Sequence, residues 1–290
     1  MRWLAITNPA AGRPRVMHRA VRSLAALNGR VLEVLETAAP GDATRLAREA
    51  GAVDGLIVVG GDGTVCEVLN GMNLDRHALA VIPAGHGNCL ARDLGVGTIA
   101  AAIETVRNER LQSIDLLEAG VTFADGRRQR RLCASTVAAG YVTQVVTKGR
   151  GPLAWLGCAA YAAAAMVTIP KRLTLRAEPE KQALCRTGIV VNNTAHLANF
   201  RGLPDATLQD GRLDVMELDA GWWRQLLHNL SVLAGSRRRG PARLLQTPAV
   251  SVTFDEPCTI MADGELWPDV RRLDVRCRPA AVRCAFAAGR

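Results

Sequence analysis

Aromatic residues are scarce in this 290-residue chain, since Phe, Trp and Tyr together make up only 4% of it. Hydrophobic residues still reach 49%, so the cores are predicted to consist mainly of Ala, Val and Leu. With 22% charged residues, the composition is that of a globular protein and is far from that of a disordered one. The length suits one large domain or two of ordinary size.

The sequence also lacks the signatures of a zinc site, a disulfide framework and a secretory signal peptide. The eight cysteines form no CxxC pair, and their spacing fits neither a zinc site nor a small disulfide framework. Most of them lie in apolar stretches, which is typical of a protein of the reducing cytoplasm. The chain reaches Asn8-Pro9 too early for the apolar core of a secretory signal peptide. These features predict a cytoplasmic protein.

Positive charge is in excess: 36 Lys and Arg residues face 27 Asp and Glu residues, a formal net charge of +9. Such a surplus indicates an anionic partner, which could be nucleic acid, an anionic membrane surface or a phosphate-rich substrate. The alternative is that Arg simply occupies solvated positions, because most of the Arg residues are scattered. Clusters occur only at residues 127–131 and 237–239.

One long uncharged stretch raises the question of a membrane span. Residues 153–169 include 17 positions without a charge, at the lower limit for crossing the hydrocarbon layer, between Pro152 and Pro170. Prolines commonly flank the ends of soluble helices. The pattern therefore favours a buried or membrane-facing helix over a transmembrane one.

The first hundred residues alternate strand and helix patterns. Strands are predicted at 3–7, 31–35, 55–59 and 79–82, and helices at 15–27, 42–50, 65–69 and 89–94. Repeated βα units with short connections indicate a parallel sheet covered by helices. The run at 55–59 is apolar throughout, as expected of a strand that is buried on both faces.

The pattern changes near Ile114 to short alternating runs separated by turn residues. Strands are predicted at 132–137, 173–177, 188–192, 213–218, 250–254 and 273–276, with helices at 153–169 and 222–233. The fold class predicted is thus an α/β N-terminal domain with a parallel sheet, followed by a mainly antiparallel β C-terminal domain. We place the boundary at residue 118, giving domains 1–118 and 119–290.

The strongest local signal is the segment Gly60-Gly61-Asp62-Gly63-Thr64, which joins a buried strand to a helix. Glycines allow close approach of the backbone to a ligand, and the helix N-terminus attracts phosphate. A carboxylate in an anion site makes sense if Asp62 binds Mg²⁺ or accepts a proton. The segment matches neither GxGxxG nor GxxxxGK[ST], and a tight turn with Asp62 capping the helix is the competing interpretation.

Two further glycine turns follow predicted strands. Asn8-Pro9-Ala10-Ala11-Gly12 follows the first strand, and Pro83-Ala84-Gly85-His86-Gly87-Asn88 follows the fourth. Because the carboxyl ends of parallel strands lie at the same edge of a sheet, the three turns are predicted to define one ligand-binding crevice.

Together, NPAAG, GGDGT with ExxNG, and PAGHGN resemble the catalytic superfamily of diacylglycerol kinases, which includes bacterial lipid kinases, sphingosine kinases and ceramide kinases. Further similar segments extend the resemblance over nearly the whole chain. They include Ser113-Ile114-Asp115, the stretch from Leu208 to Asp214, and Ala262-Asp263-Gly264-Glu265. The resemblance implies an ATP-dependent lipid kinase that uses Mg²⁺. It would transfer the γ-phosphate to a hydroxyl of a long-chain membrane lipid of ceramide, sphingoid or diacylglycerol type.

The resemblance also implies roles for individual residues. Asn8, Gly60, Gly61, Gly63, Thr64 and Asn70 would line the ATP phosphates, with Thr37, Gly85, His86 and Asn88 near the nucleotide. Asp62 would act on the phosphates through Mg²⁺ or as the base. Asp263 and Glu265 form a DGE motif in which one carboxylate accepts the lipid hydroxyl's proton, although an ordinary β-turn is the alternative at this segment. Asp210 would hold a structural Mg²⁺, with a hairpin turn as its alternative.

Two residues depart from the family's pattern. His86 stands where the family usually has Thr or Ser, so an imidazole would replace a small hydroxyl near the nucleotide. Asn88 is followed by Cys89-Leu90-Ala91, whereas many bacterial diacylglycerol kinases have Asp after that Asn. The GN-x-LA form is closer to the sphingosine- and ceramide-kinase-like members and tilts the acceptor toward a sphingoid or ceramide lipid.

The resemblance predicts peripheral association with the inner face of the membrane, through the helix at 153–169 and the flanking cations Lys148, Arg150, Lys171 and Arg172. It implies no nucleic-acid partner, and the sequence leaves a homodimer open. Two other functions stay in competition. One is a soluble-substrate kinase of the NAD kinase type, which shares the GGDG crevice; the other is a non-catalytic lipid- or nucleotide-binding relative.

Overall fold

The computed structural model describes residues 1–287 except 13, 28, 86, 179–182, 198–199, 202, 204, 220 and 234–241. The sequence prediction for His86 and the basic cluster at 237–239 therefore lie outside the described residues.

Four parallel strands form the sheet of the N-terminal unit, in the order β2-β1-β3-β4. They are β1 (Trp3–Thr7), β2 (Val31–Glu36), β3 (Gly55–Gly60) and β4 (Ala78–Pro83). Strands β1, β3 and β4 are buried at every position, because helices cover both faces of the sheet. All four strands confirm the sequence-based assignment within one residue at each end.

The helices of this unit are α1 (Pro14–Ser23), α2 (Asp42–Arg48), α3 (Asp62–Leu69), α4 (Cys89–Asp93) and α5 (Ile99–Arg107). A short 3-10 helix, Leu24–Leu27, continues α1. Helix α3 begins at Asp62, three residues before the predicted start. The sequence patterns missed α5, whose N-terminus is capped by Thr98 Oγ1, an acceptor for Ala101 N at 3.2 Å.

The C-terminal unit is mainly antiparallel. Its strands are β5 (Leu111–Phe123), β6 (Arg128–Cys133), β7 (Thr136–Gly140), β8 (Leu173–Ala177), β9 (Ala183–Arg186), β10 (Gly188–Asn192), β11 (His196–Leu197), β12 (Phe200–Arg201), β13 (Leu213–Leu218), β14 (Ala242–Thr247), β15 (Ala249–Ala262) and β16 (Glu265–Ala285). The predicted strands at 173–177, 188–192 and 213–218 are confirmed. The fold is therefore an α/β unit with a parallel sheet joined to a mainly antiparallel β unit.

Two predictions for the C-terminal unit were wrong. The run 132–137 contains the end of β6, a turn at Ala134 and Ser135, and the start of β7, rather than one strand. The run 153–169 is no single helix: a turn leads into the 3-10 helix Ala154–Ala159 and then α7 (Ala160–Val167). Helix α6 (Tyr141–Arg150) precedes it, and α8 (Trp222–Leu233) confirms the predicted helix at 222–233.

Strands β5 and β16 connect the two units. They pair antiparallel over most of their length, and Cys284 of β16 pairs in parallel with Leu79 of β4. One sheet consequently continues from the N-terminal unit into the C-terminal one, in the order β14-β13-β10-β7-β15-β16-β4-β3-β1-β2. The N-terminal core includes Val282, Cys284 and Ala285 from the end of the chain.

The uncharged residues 153–169 raised the question of a helix that spans a membrane. Among the residues that the structure describes, no helix combines the length and the apolar character needed to cross a bilayer.

Candidate active site

The turns after β1, β3 and β4 meet at one edge of the parallel sheet. Asn8 N donates to Val59 O at 3.1 Å, and Ala84 N donates to Gly60 O at 2.9 Å. Thr37, which follows β2, donates its N–H to Thr7 O at 2.9 Å. The topology thus gathers the predicted turns into one crevice at the carboxyl ends of the strands, where open α/β sheets bind ligands.

Two glycines make the crevice possible because their backbones touch. A Cβ added to Gly85 would lie 2.5 Å from Gly61 Cα, and one added to Gly61 would lie 3.1 Å from Gly85 Cα. Any side chain at Gly85 would push the turn after β3 and the turn after β4 apart.

The N-terminus of α3 provides the phosphate-binding geometry. The first N–H groups of a helix have no acceptor within it, and their dipoles point outward. In α3 the first N–H groups belong to the residues that follow directly from Asp62. Gly63, the second residue of the helix, is exposed. Asn8 Nδ2 donates to Thr64 Oγ1 at 3.1 Å and so fixes the turn after β1 against the turn after β3. The arrangement has the geometry of the anion sites that are found at helix N-termini.

Asn88 shapes the turn after β4. Its φ of 50° is left-handed, a conformation that Asn tolerates better than most residues. Asn88 Oδ1 accepts from Gly85 N at 3.0 Å, and Asn88 Nδ2 donates to Gly85 O at 2.8 Å. The side-chain amide therefore closes this turn on itself, so its role here is to hold the backbone of the crevice wall.

Asp62 links the second turn to the N-terminus of α4. Its Oδ1 accepts from Leu90 N at 3.3 Å. Burial raises the pKa of Asp62, although the hydrogen bonds from Cys89 and Leu90 oppose the shift. Among the described residues, no Lys or Arg forms an ion pair with this carboxylate. A half-buried acid without a cationic partner beside an anion site fits a divalent cation, and carboxylate oxygens are ligands that Mg²⁺ prefers.

Asp263 is a buried acid of the C-terminal unit, and one of its carboxylate oxygens lies within 4.8 Å of Cys66 Sγ in α3. It occupies the left-handed turn between β15 and β16, with φ 45°. Its carboxylate accepts three backbone N–H groups from the turn between β6 and β7: Ala134 at 2.6 Å, Ser135 at 3.0 Å and Thr136 at 2.8 Å.

The electrostatic environment of Asp263 suits proton transfer. Burial raises its pKa to about 6, the negative charge of Asp62 adds to the rise, and the three hydrogen bonds oppose it. The charge of Asp62 therefore acts on Asp263 across the junction of the two units. A carboxylate whose pKa approaches neutrality is ionised at pH 7 and accepts a proton more readily than a surface aspartate.

Glu265, the second acid of the DGE motif, has different partners. Its Oε2 forms an ion pair with Arg131 of β6, and its Oε1 accepts from Trp267 Nε1 at 3.0 Å. Arg150 of α6 donates to the carbonyl of Gly264 between the two acids. Arg131 and Arg150 thus hold the turn, and neither role was predicted from the sequence.

Asn70, predicted to line the ATP phosphates from behind the Gly60–Thr64 turn, binds backbone groups of α3 and β6. Its Nδ2 donates to Leu132 O at 2.8 Å and to Cys66 O at 2.7 Å, while its Oδ1 accepts from Leu132 N at 2.9 Å. Both ends of the amide are occupied by backbone groups. Asn70 therefore connects α3 to β6 and acts on the crevice through the position of α3.

Asp210 lies apart from these acids, in the loop before β13. It is exposed, and its Oδ1 accepts from Arg212 N at 3.0 Å, as in an ordinary Asx turn. Its charge, together with that of Asp205, adds to the burial that raises the pKa of Asp214. The neighbouring Asp115 binds the same loop, accepting from Gly211 N at 2.7 Å. The structural Mg²⁺ at Asp210 stays a prediction.

Sequence patterns missed a set of buried polar side chains beside Asp263. Ser135 Oγ, Asn192 Oδ1 and Asn193 Oδ1 are buried and have no hydrogen-bond partner among the residues that the structure describes. Asn193 Nδ2 donates to Asp115 O at 2.7 Å, and its N–H donates to Ser135 O at 2.9 Å. No spacing in the sequence brings these residues to Asp263, because strands β7 and β10 pair only in the folded chain.

Comparisons with known proteins agree with this arrangement. Residues 2–119 match the diacylglycerol kinase catalytic domain, and residues 135–286 match the YegS C-terminal NAD kinase beta sandwich-like domain. A diacylglycerol kinase of Bacillus subtilis is 30% identical over 79% of this chain and 77% of its own. The "Probable lipid kinase YegS-like" of Xanthomonas oryzae is 27% identical over 97% of this chain and 94% of its own.

A solved structure extends the comparison to the fold. The crystal structure of a diacylglycerol kinase from Bacillus anthracis superimposes with a TM-score of 0.77 at 23% identity, covering 99% of this chain and 97% of the other. Two matched domains and a conserved overall fold define a two-domain lipid phosphotransferase. The chain belongs to the diacylglycerol kinase family of lipid kinases.

Proposed function

We propose that this protein transfers the γ-phosphate of ATP to a hydroxyl of a long-chain membrane lipid, with Asp263 as the base. The observation that carries this proposal is the placement of Asp263, whose pKa is raised in part by Asp62 of the glycine-rich turn. A proton acceptor from one unit thus faces a phosphate-binding helix N-terminus from the other. A phosphotransferase with an alcohol acceptor needs this combination.

The nucleotide side of the reaction belongs to the N-terminal unit. The N–H groups at the start of α3, with Asn8, Gly60, Gly61, Gly63 and Thr64 around them, bind the ATP phosphates, and Thr37, Gly85 and Asn88 shape the crevice around the nucleotide. Asp62 would hold Mg²⁺, which would neutralise charge on the phosphate oxygens. Gly61 and Gly85 keep the crevice open to the nucleotide because neither carries a side chain.

The acceptor side belongs to the C-terminal unit. As the lipid oxygen bonds to the γ-phosphorus, the bond from that phosphorus to the β–γ bridging oxygen breaks, and the hydroxyl proton passes to Asp263. The bonds from Ala134, Ser135 and Thr136 orient the carboxylate for this task. Glu265 holds the turn in place and does not take the proton, because Arg131 and Trp267 occupy its carboxylate oxygens.

An exposed apolar surface supports contact with a bilayer. It consists of the 3-10 helix Ala154–Ala159, α7 and α8, which are joined where Asn229 Nδ2 donates to Ala165 O at 2.9 Å. Trp155 is 79% exposed and Trp223 is 67% exposed, with Val167, Ile169, Leu227 and Leu230 also exposed. Exposed Trp beside aliphatic residues is typical of helices that lie in the membrane interface. The surface therefore extends the predicted one by adding α8.

The cations around this surface divide into two groups. Lys171 is exposed beside Ile169, and Lys148 of α6 donates to Val167 O at 3.3 Å. Both are placed to attract anionic lipids. Arg150 instead binds the carbonyl of Gly264, and Arg172 lies beside Asp219 and Cys185. Bilayer attraction is therefore assigned to the two lysines, at the inner face of the membrane.

The acceptor is the finer part of the proposal. The Bacillus subtilis relative is named a diacylglycerol kinase, while a sphingoid long-chain base kinase of Arabidopsis thaliana is 36% identical over 37% of this chain and 16% of its own. The diacylglycerol kinase aligns with a larger share of this chain than the sphingoid base kinase does, which favours diacylglycerol as the acceptor. The Asn88-Cys89-Leu90-Ala91 segment favours a sphingoid or ceramide lipid.

The experiment offers γ-labelled ATP and Mg²⁺ with diacylglycerol, ceramide or sphingosine in mixed micelles, and in parallel with NAD⁺ in buffer. We expect label in one lipid and none in NAD⁺. Label in NAD⁺ alone would establish the soluble-substrate kinase. ATP binding without transfer to any acceptor would establish the non-catalytic relative. Omitting Mg²⁺ provides the matched control and is expected to abolish transfer.

A further inference from the structure

The thiols of Cys66 and Cys133 lie together at the junction of the two units. Cys66 belongs to α3, and Cys133 ends β6. Their Sγ atoms and a carboxylate oxygen of Asp263 all lie within 4.8 Å of one another. The relative exposures of the three residues are 1%, 0% and 8%. The spacing of the cysteines in the sequence gave no sign of this cluster, because its members come from distant elements.

We propose that Cys66, Cys133 and Asp263 bind a thiophilic divalent cation such as Zn²⁺, which inhibits the enzyme. Two thiolates and a carboxylate are ligands that Zn²⁺ takes, with a water in the fourth position. Zn–S bonds of about 2.3 Å and Zn–O bonds of about 2.1 Å place the ligand atoms about 3.5–3.8 Å apart. Because the three ligand atoms lie within 4.8 Å of one another, binding requires them to close in by at most about 1 Å.

The ligand atoms of the cluster also have contacts outside it. Arg131 Nε donates to Cys66 Sγ at 3.1 Å, and three backbone N–H groups bind the Asp263 carboxylate. Such outer contacts orient metal ligands and support their affinity. The three N–H groups leave one lone-pair position of the carboxylate for a metal. Two thiolates and one carboxylate against a divalent ion leave a single negative charge. The guanidinium of Arg131, which also pairs with Glu265, lies beside it.

The inhibitory effect rests on the proposed function, whereas the binding does not. A cation on Asp263 removes the carboxylate that takes the lipid proton, and it also ties α3 of one unit to β6 of the other. Mg²⁺ does not compete, because it prefers oxygen ligands. Zn²⁺ would therefore inhibit in the presence of saturating Mg²⁺, and a chelator selective for Zn²⁺ would restore activity.

The first measurement uses Cd²⁺, whose thiolate complexes absorb in the ultraviolet, on the reduced full-length chain. We expect one Cd²⁺ per chain in the wild type and in the matched control Cys185→Ser, which alters an exposed thiol. The thiolate–Cd²⁺ band is expected to disappear in Cys66→Ala and in Cys133→Ala. The dissociation constant for Zn²⁺ is expected to rise at least about tenfold in both variants.

A band that persists unchanged in both variants, or that is lost in Cys185→Ser, would overturn the proposal. Should either alanine variant fail to fold, X-ray absorption of the Zn²⁺-loaded wild type decides: two sulfur ligands at about 2.3 Å support the site, and oxygen or nitrogen ligands alone contradict it. Inhibition by Zn²⁺ is then compared in the wild type and in the folded variants, each against its own uninhibited rate. A wild type that binds Cd²⁺ but phosphorylates no lipid would contradict the proposed function and leave the metal site standing.

Discussion

At the scale of single residues, Gly85 has no room for a side chain. A Cβ at this position would lie 2.5 Å from Gly61 Cα, well inside van der Waals contact. We expect Gly85→Ala to weaken ATP binding and to lower the free energy of unfolding by about 1–3 kcal/mol, the usual cost of overpacking. Equilibrium nucleotide titration and denaturant unfolding measure the two effects.

Gly63→Ala is the matched control, because a Cβ there meets nothing within 4 Å. It is expected to leave the free energy of unfolding nearly unchanged. Equal losses of stability in the two variants would refute the close approach of the second and third turns.

His77 predicts a pH dependence of stability. The side chain is buried before β4, and burial, with a smaller contribution from Arg76, lowers its pKa from 6.5. The unfolded chain therefore binds a proton at this residue at a higher pH than the folded chain does. Stability is fully present above pH 6.5 and falls as the pH drops below it. Urea unfolding between pH 7.5 and 5 should show this fall.

His77→Gln is expected to make the fall shallower, because it removes the titrating group. His18→Gln, at an exposed position of α1, is the matched control and should preserve the wild-type slope. An unchanged slope in His77→Gln would contradict the assignment.

At the scale of elements, Asn70 joins α3 to β6. Replacing it with Ala leaves the N–H and the carbonyl of Leu132 without their partner. Since an unsatisfied buried polar group costs about 1–3 kcal/mol, Asn70→Ala should lower the free energy of unfolding by at least that amount. Because α3 also forms the phosphate site, we expect the affinity for ATP to fall as well.

Asn73→Ala supplies the comparison for Asn70→Ala, because Asn73 is exposed and binds only the backbone of its own turn. A smaller loss of stability and unaltered ATP affinity are expected. The role of Asn70 would be refuted by wild-type stability and ATP affinity in Asn70→Ala.

Helix α8 is predicted to contact the membrane. Trp223 is largely exposed, and its ring centroid lies 4.2 Å from that of Trp222. We expect Trp223→Ala to reduce binding to anionic vesicles, because interfacial Trp side chains anchor helices at the lipid headgroups. Co-sedimentation with vesicles gives the affinity. Val16→Ala, at an exposed apolar position of α1, is the control and should bind vesicles like the wild type.

The sequence predicts some elements better than others. Strands β1, β3 and β4 were located because buried parallel strands form apolar runs that end in glycine turns. The run 132–137 was misassigned because Ser135 is the single turn residue at Ala134-Ser135, and Ser marks a turn more weakly than Asn or Asp does. The length of the helix predicted at 153–169 was overestimated, because an Ala-rich run resembles a continuous helix whether or not it is interrupted.

For the site, the sequence located the turns but not the contacts between units. Asp62, Asp263 and the glycines lie in recognisable motifs. Arg131, Asn193 and the pair Cys66 and Cys133 gain their positions only from the pairing of distant strands. The contact of Asn70 with β6 was not predicted for the same reason, since Leu132 is its partner only in the folded chain.

At the scale of the whole molecule, side chains of one unit bind the backbone of the other. Asn70 binds β6, and Asp93 of α4 accepts from Ala195 N at 2.5 Å and contacts His196. The continuous sheet through β4 and β16 provides a further connection. These contacts fix the distance between the N-terminus of α3 in one unit and Asp263 in the other, so the proposed mechanism needs both units together.

The most direct test of the account is phosphoryl transfer from labelled ATP to micellar lipid by the wild type and by Asp263→Asn. Asn tolerates the left-handed backbone of this turn, and thermal unfolding checks that the variant is folded. Asp269→Asn, an exposed left-handed position on β16, is the matched control. The account predicts a rate about 10²–10⁴-fold lower in Asp263→Asn, with ATP affinity nearly preserved and the control active. Wild-type rates in Asp263→Asn, or no transfer by the wild type to any lipid, would contradict it.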